Sequence, residues 1–177
     1  MGVKKANICA ISIIVFLFCF ACQNKGEEAS VVVPLNVEKE KIAVNREIVR
    51  RETTDIELIA KRYHWQLICN ESGLYYQIVN TTSGRQPQAK DRVKIKGIIT
   101  LPDGKEIYNS ATDGIKEFVV HQSDEPVGLH ELVKLMHEGE KANAVIPSHL
   151  GYGISGNGTN IPALSLLICK IELININ

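Results

Sequence analysis

The chain carries no excess of either charge: 20 basic and 20 acidic residues leave it formally neutral. Without a basic excess nothing points to nucleic acid, and without an acidic run there is no solvating tail. Metal-ligand spacing is missing as well. His130 and His137 lie seven apart and share a helix face, but metal helices usually pair ligands at i and i+4, and no Cys or carboxylate cluster joins them. Solvated histidines are the expectation there, and His64, His121 and His149 are scattered. No internal repeat is visible. Cysteine is scarce past residue 22, where only Cys69 and Cys169 remain. They can pair and close a long loop, or stay as buried free thiols; free thiols are the favoured reading. With 23% charged and 6% aromatic residues, the 177-residue chain suits one domain with a core plus an appended segment.

What is present begins at the N-terminus. Lys4 and Lys5 precede the apolar run "ICAISIIVFLFCFAC", which ends at Cys22. A positive start followed by a run shorter than the roughly 20 residues of a spanning helix reads as a signal peptide over residues 1–22. Small Ala21 before Cys22, then polar "QNKGEE", is similar to a bacterial lipoprotein site, where the thiol takes a diacylglycerol; Cys19 and Phe20 depart from that motif. The other reading is an uncleaved signal anchor. A multiply acylated Cys22 would hold a membrane stably, at about 0.8 kcal/mol per buried methylene. Either way the protein is expected across and beside a membrane.

Residues 23–53 are polar and charged and read as a tether, part helical around Val37–Val49. "TDIE" at Thr54–Glu57 is a capping box, so a short helix is predicted over Asp55–Tyr63, with Ile56, Ile59 and Ala60 as its apolar stripe. Residues 54–73 form this helical lead-in. "LYYQIVN", "VKIKGII", "EIYNS", "KEFVV" and "LLICKIELI" read as strands. Val93, Ile95, Gly97 and Ile99 share one face of their strand; Leu167, Cys169, Ile171 and Leu173 share one face of the last. Leu129, Leu132, Val133 and Met136 repeat at helical spacing, predicting a helix over Gly128–Glu138 that Gly139 closes. One helix among several antiparallel strands is an α+β pattern.

The stretch "PSHLGYGISGNGTNIP" holds four glycines between Gly151 and Gly158 and spells G-x-G-x-x-G. A dinucleotide turn needs a strand before it and a helix after it. Pro147 interrupts the approach, Pro162 follows, and Asn157 and Gly158 stand where a phosphate loop needs Lys and Ser or Thr. No nucleotide is expected. Either the loop is a flexible connection, or its glycines let the backbone aim Tyr152 into a cavity.

"LPDGKEIYNS", "KEFVV", "VGLHELVKLMHEGEKANAVIPSHLGYG" and "IPALSLLICKIEL" follow one another in order. Together they resemble an FKBP-type peptidyl-prolyl cis-trans isomerase domain over roughly Leu74–Ile174, assigned as residues 74–177. With Cys22 and "WQLICNESGLYY" the chain is similar to FKBP-like lipoproteins of the Bacteroidetes kind, a group with gliding-motility-associated members. The resemblance implies a twisted antiparallel sheet of about five strands wrapped round one helix, with a ligand pocket between them. It implies no cofactor, proline-containing clients, and neither nucleic acid nor nucleotide as partner.

In that family an aromatic cage grips the substrate. The resemblance keeps its tyrosine as Tyr152, the catalytic candidate, and its isoleucine as Ile161. Elsewhere the cage changes: Leu129 stands for a tryptophan, Ile107 for a phenylalanine, Tyr108 for an aspartate, Lys116 for an aromatic and Cys169 for a phenylalanine. Gly97 stands for a tyrosine, leaving a space that Tyr108 would lean into. Leu129, Ile107 and Ile161 remain apolar, and with Tyr108, Phe118 and Tyr152 they are the implied pocket. Two functions follow: a membrane-anchored isomerase assisting the folding of exported or envelope proteins, weakened by the altered cage, or a client-binding or scaffold lipoprotein with little turnover.

Overall fold

The computed structural model describes residues 35–177. The expectations for the signal peptide and Cys22 lie outside the described residues. Two units divide the chain, one ending at Lys41 and the other spanning Ile42–Asn177. In the first, the described side chains from Val37 to Lys41 are exposed.

Helix α1 spans Leu35–Tyr63, twenty-nine residues rich in Glu, Lys, Arg and Ile. It corrects the expected start at Asp55. Thr54 does not cap: its hydroxyl donates to the Arg50 carbonyl at 3.0 Å, and that of Thr53 to the Val49 carbonyl at 2.8 Å. Hydroxyls bonded back one turn sit inside a continuing helix. Glu47 accepts from Arg50 and Arg51, each at 2.8 Å, and these hydrogen bonds pull its carboxyl down to about 2. Basic Lys61 and Arg62 suit the C-terminal end, and His64 at φ 56° turns the chain out.

Strands follow as β1 (Ile68–Cys69), β2 (Tyr75–Ile78), β3 (Arg92–Thr100), β4 (Glu106–Asn109), β5 (Lys116–Val119), β6 (Lys141–Ile146) and β7 (Leu167–Ile176). All pairings are antiparallel, in the order β1-β2-β6-β7-β3-β4, with β5 also on β3. β4 and β5 share one edge of β3, and a four-residue helix α2, Ser110–Asp113, breaks them apart. This is the α+β, FKBP-like sheet, with seven strands rather than about five. Alternation decides what each face does. Leu167, Cys169, Ile171 and Leu173 enter the core with Ala142, Ala144 and Ile146 and helix α3 (Val127–Lys134). Val145 and Ile168 face the other way, onto Ile56 and Ile59 of α1.

Three further sequence expectations are corrected. Helix α3 ends at Lys134, not Glu138. Its exit tightens through amides of Leu135 and Met136 bonding three residues back, and the buried Glu140 carboxylate then takes the His137 amide at 2.8 Å. Gly139, at φ 87°, serves the next turn. His130 is not solvated: it is 3% exposed, accepts the His121 amide at Nδ1 and bonds the Ser123 carbonyl through Nε2, both at 3.1 Å. A buried imidazole with both nitrogens used is a core group.

At Gly97 the backbone itself rules out a side chain. At φ 140° a Cβ there would collide with the Lys170 carbonyl, so no side chain fits. Val93, Ile95 and Ile99, on either side of it in the strand, are buried. Gly97→Ala should therefore destabilise the fold by about 1–3 kcal/mol, the range for forcing a side chain into a glycine conformation; urea unfolding checks it.

Cys69 and Cys169 are both free thiols, the first exposed and the second buried. Burial pushes the Cys169 thiol up to about 12. Thiolate is the reactive form. Iodoacetamide on the native protein, with sites mapped by mass, should modify Cys69 and reach Cys169 only after denaturation.

Candidate functional site

Between α3, the sheet and the glycine-rich loop lies a cavity of roughly 190 Å³. Its walls are Ile99 from β3, Ile107 and Tyr108 from β4, Lys116 from β5, Glu125 and Pro126 ahead of α3, and Leu167 from β7; the loop adds Tyr152, Asn157, Asn160 and Ile161. Four predicted pocket residues thus meet: Tyr152, Ile161, Ile107 and Tyr108. Leu129 and Phe118 do not reach the wall. They are 1% and 3% exposed in the core, and Phe118 meets the His130 ring edge-on at 5.2 Å.

Local geometry explains each wall. After Gly156, at φ 67°, the Asn157 side-chain oxygen accepts the amides of Thr159, Asn160 and Ile161 at 3.1, 3.0 and 2.8 Å. That closed turn fixes Ile161 against the core and fills its amide. Lys105 donates to the Asn160 carbonyl at 2.8 Å and ties the turn to the β3–β4 hairpin. Tyr152 stands on a stem formed by the 3-10 turn Ser148–Leu150, where the Gly153 amide donates to the Ser148 carbonyl at 2.8 Å. Its ring packs against the core, and among the described residues no partner takes its hydroxyl. Burial, then the Glu125 charge, raises the phenol above 10.

Tyr108 is spoken for. Its hydroxyl donates to the Gly114 carbonyl at 2.9 Å and accepts the Lys116 amide at 3.1 Å. Burial is the chief cause that lifts its phenol. Lys116 reaches Glu125 at 2.8 Å and lies 5.1 Å from the Tyr108 ring centroid. Pro126 has no amide hydrogen, so that side offers a wall and no backbone donor. The cavity therefore combines an apolar side, one free hydroxyl, one ion pair and the two asparagines of the loop. No group of three or more His, Cys, Asp or Glu fit to hold a metal occurs among the described residues.

A larger open groove of about 490 Å³ lies on the opposite face of the sheet. Lys96, Ile98, Lys170 and Glu172 line it, with the backbone at Gly97. None of the predicted pocket residues is there.

The family model for FKBP-type peptidyl-prolyl cis-trans isomerase matches residues 83–174, just over half of the 177. The chain belongs to that family. A probable FKBP-type peptidyl-prolyl cis-trans isomerase of Haemophilus influenzae is 35% identical over 108 residues, 60% of this chain and 44% of that protein. Outer membrane protein MIP of Legionella longbeachae is 30% identical over 122 residues, 69% of this chain and 52% of that one. The chain thus spans about half the length of these curated relatives. Crystalline FkpA from Escherichia coli superposes with a TM-score of 0.63 at 26% identity, covering 99% of this chain and 84% of that one.

In this FKBP-type domain, the sequence pointed to the tyrosine loop and the β4 wall. It missed Glu125 and Pro126, whose position just before α3 was the available signal. It also missed Asn157 and Asn160, placed by the glycines that precede them. No helix among the described residues is long and apolar enough to cross a membrane.

Proposed function

We propose that the protein isomerises X-Pro bonds in exported or envelope proteins while lipid on Cys22 holds it to a membrane. The observation that carries the catalytic part is the free Tyr152 hydroxyl at the wall of a small cavity whose apolar side is Ile99, Ile107, Ile161 and Leu167 and whose polar side is Lys116, Glu125, Asn157 and Asn160. Prolyl isomerisation breaks no bond; its obstacle is amide resonance, about 18–20 kcal/mol, and uncatalysed exchange takes tens to hundreds of seconds. The isoleucines and Leu167 hold the proline ring and strip water from the amide, which favours the twisted form that has lost resonance. Tyr152 donates to a substrate carbonyl and fixes the segment. The Ile161 amide is already taken by Asn157, and Tyr108 by Gly114, so Tyr152 is the gripping group. With one free hydroxyl and few aromatics, turnover is expected to be weak.

Anchoring rests on Cys22 and its flanking residues, and is favoured by the relative named an outer membrane protein. The narrower assignment, to FKBP-like lipoproteins of the gliding-motility-associated kind, rests on that cysteine with "WQLICNESGLYY". Globomycin treatment of expressing cells, with mass spectrometry of the N-terminus, tests it: a diacylglyceryl Cys22 supports the anchor, and an unmodified thiol removes it.

A second reading is favoured by the Lys116–Glu125 pair, which occupies one side of a small cavity: a client-binding lipoprotein that holds proline segments without turning them. Isomerisation of an X-Pro peptide by the full chain in detergent separates the two. Acceleration lost in Tyr152→Ala supports the enzyme; binding at the uncatalysed rate supports the holder.

A further inference from the structure

We infer that Glu52, on α1, is a positioning residue that holds the Tyr152 loop in place. The inference rests on reading Tyr152 as the group that grips substrate. Ile48, Glu52, Ile56 and Ile59 recur at spacings of four, four and three, so they share one helix face. Ile56 and Ile59 are buried against the sheet, and Glu52 lies in the same stripe at only 8% exposure. A carboxylate there is costly, since a buried charge loses its water. Its Oε1 finds no hydrogen-bond partner among the described residues. Packing alone would favour an apolar residue.

What the carboxylate offers is an acceptor. Oε2 accepts the Ser148 amide at 3.3 Å, across 96 positions of sequence. Ser148 opens the 3-10 turn, and Pro147 before it provides no side-chain cap. Glu52 thus caps this turn from another element. The other backbone group of Ser148 leads onward: its carbonyl accepts the amides of Gly151 at 3.0 Å and Gly153 at 2.8 Å, the two glycines that flank Tyr152. One peptide unit on each side of Ser148 therefore joins α1 to the base of the tyrosine. Past Gly153, at φ 63°, the loop is open, with Ile154 79% exposed. The other bonds at the stem, the Gly151 amide to the Pro147 carbonyl at 3.0 Å, the Leu164 amide to the Gly153 carbonyl at 2.9 Å and His149 to the Ser72 carbonyl at 3.3 Å, do not come from α1. Losing the Glu52 acceptor frees the stem to relax and lets Tyr152 drift from the cavity wall.

The test uses the full chain with Glu52→Leu, which extends the apolar stripe but removes the acceptor, and Glu52→Gln, whose amide oxygen still accepts. Ser148→Pro removes the amide hydrogen instead and keeps the carbonyl. Amide hydrogen exchange at Gly151 and Gly153 is read beside X-Pro isomerisation. Glu52→Leu and Ser148→Pro should speed exchange at both glycines by about 5-fold or more, the factor for one lost hydrogen bond, while exchange in β7 stays as in wild type. The kcat should fall by a similar factor, about 5-fold, as expected when a gripping group is misplaced. Glu52→Gln should stay within about 2-fold of wild type in both readouts. Unchanged glycine exchange in Glu52→Leu overturns the inference, as does Glu52→Gln behaving like Glu52→Leu, or exchange rising equally in β7. If wild type shows no isomerisation, the proposed function fails on its own, and the exchange comparison still decides whether Glu52 holds the loop.

Discussion

Tyr152→Phe should lower kcat/KM on an X-Pro peptide by about 5- to 30-fold, the equivalent of about 1–2 kcal/mol for one hydrogen bond. The ring stays, so the cavity wall and its packing are kept; only the donor goes. Tyr152→Ala removes the ring too, losing an aromatic that buries on the order of 150–250 Å², and should bring exchange to the uncatalysed rate. A structural role for the tyrosine would give Phe and wild type the same rate. The pH profile carries the same point. Burial and the Glu125 charge hold the phenol above 10, so the donor is intact and the rate is flat from about pH 6 to about pH 9. The rate falls only as tyrosinate forms at higher pH. Glu125→Gln removes the second of the causes that raise it, after burial, so the fall should begin at lower pH. The linkage has the matching sign: a phenol whose folded value is raised contributes stability that is complete below its unfolded value of about 10 and is lost as pH rises through the folded one.

Leu129→Ala should destabilise the domain by about 2–5 kcal/mol, the cost of removing a buried leucine and leaving a cavity. Leu129 is 1% exposed on α3, and the walls of the proline cavity do not include it. Urea unfolding should show the loss, and the folded fraction should keep kcat/KM within about 2-fold, since no interaction with substrate is removed. Leu129→Trp separates core from pocket more sharply. In a filled core the larger ring overpacks, at about 1–3 kcal/mol, and turnover does not rise. A Leu129→Trp protein that folded as stably as wild type and worked faster would place this side chain in the pocket after all.

Much of this fold was legible because alternation is strict where a strand has two different faces. Leu167, Cys169, Ile171 and Leu173 share the face that packs on α3, and Ile168 between them packs on α1. The long α1 was not legible from its pattern. "TDIE" carries the residues of a helix start, but Thr53 and Thr54 use their hydroxyls on the preceding turn, and Glu47 with its two arginines supports the helix upstream. Local hydrogen-bond competition decided that boundary. Gly97 misled for another reason. An alternating pattern gives a residue's face but not how close the neighbouring strand runs, and at Gly97 the Lys170 carbonyl occupies the place of a Cβ. His130 was read as solvated because its two partners, the His121 amide and the Ser123 carbonyl, come from a turn that the helical repeat says nothing about.

In the candidate site, Tyr152 could be singled out because glycines flank it, and Ile161 because the resemblance keeps the family's isoleucine there. Glu125 and its pairing with Lys116 could not, because their meeting at 2.8 Å depends on β5 and the α3 approach folding onto each other. Glu52 was the least visible of all. In sequence it is one more acid in a charged helix, and only the 96-residue span to Ser148 gives it a role.

The central claim is that the cavity under Tyr152 binds a proline segment and turns its amide. Two-dimensional exchange spectroscopy on a labelled X-Pro peptide, with catalytic amounts of the full chain, tests it most directly. Cis–trans cross-peaks should build up faster than in free peptide, and faster with wild type than with Tyr152→Phe; signals of Tyr152, Ile107 and Ile161 should shift on peptide addition. Cross-peaks growing at the free-peptide rate, or with equal speed in both proteins, would contradict the account.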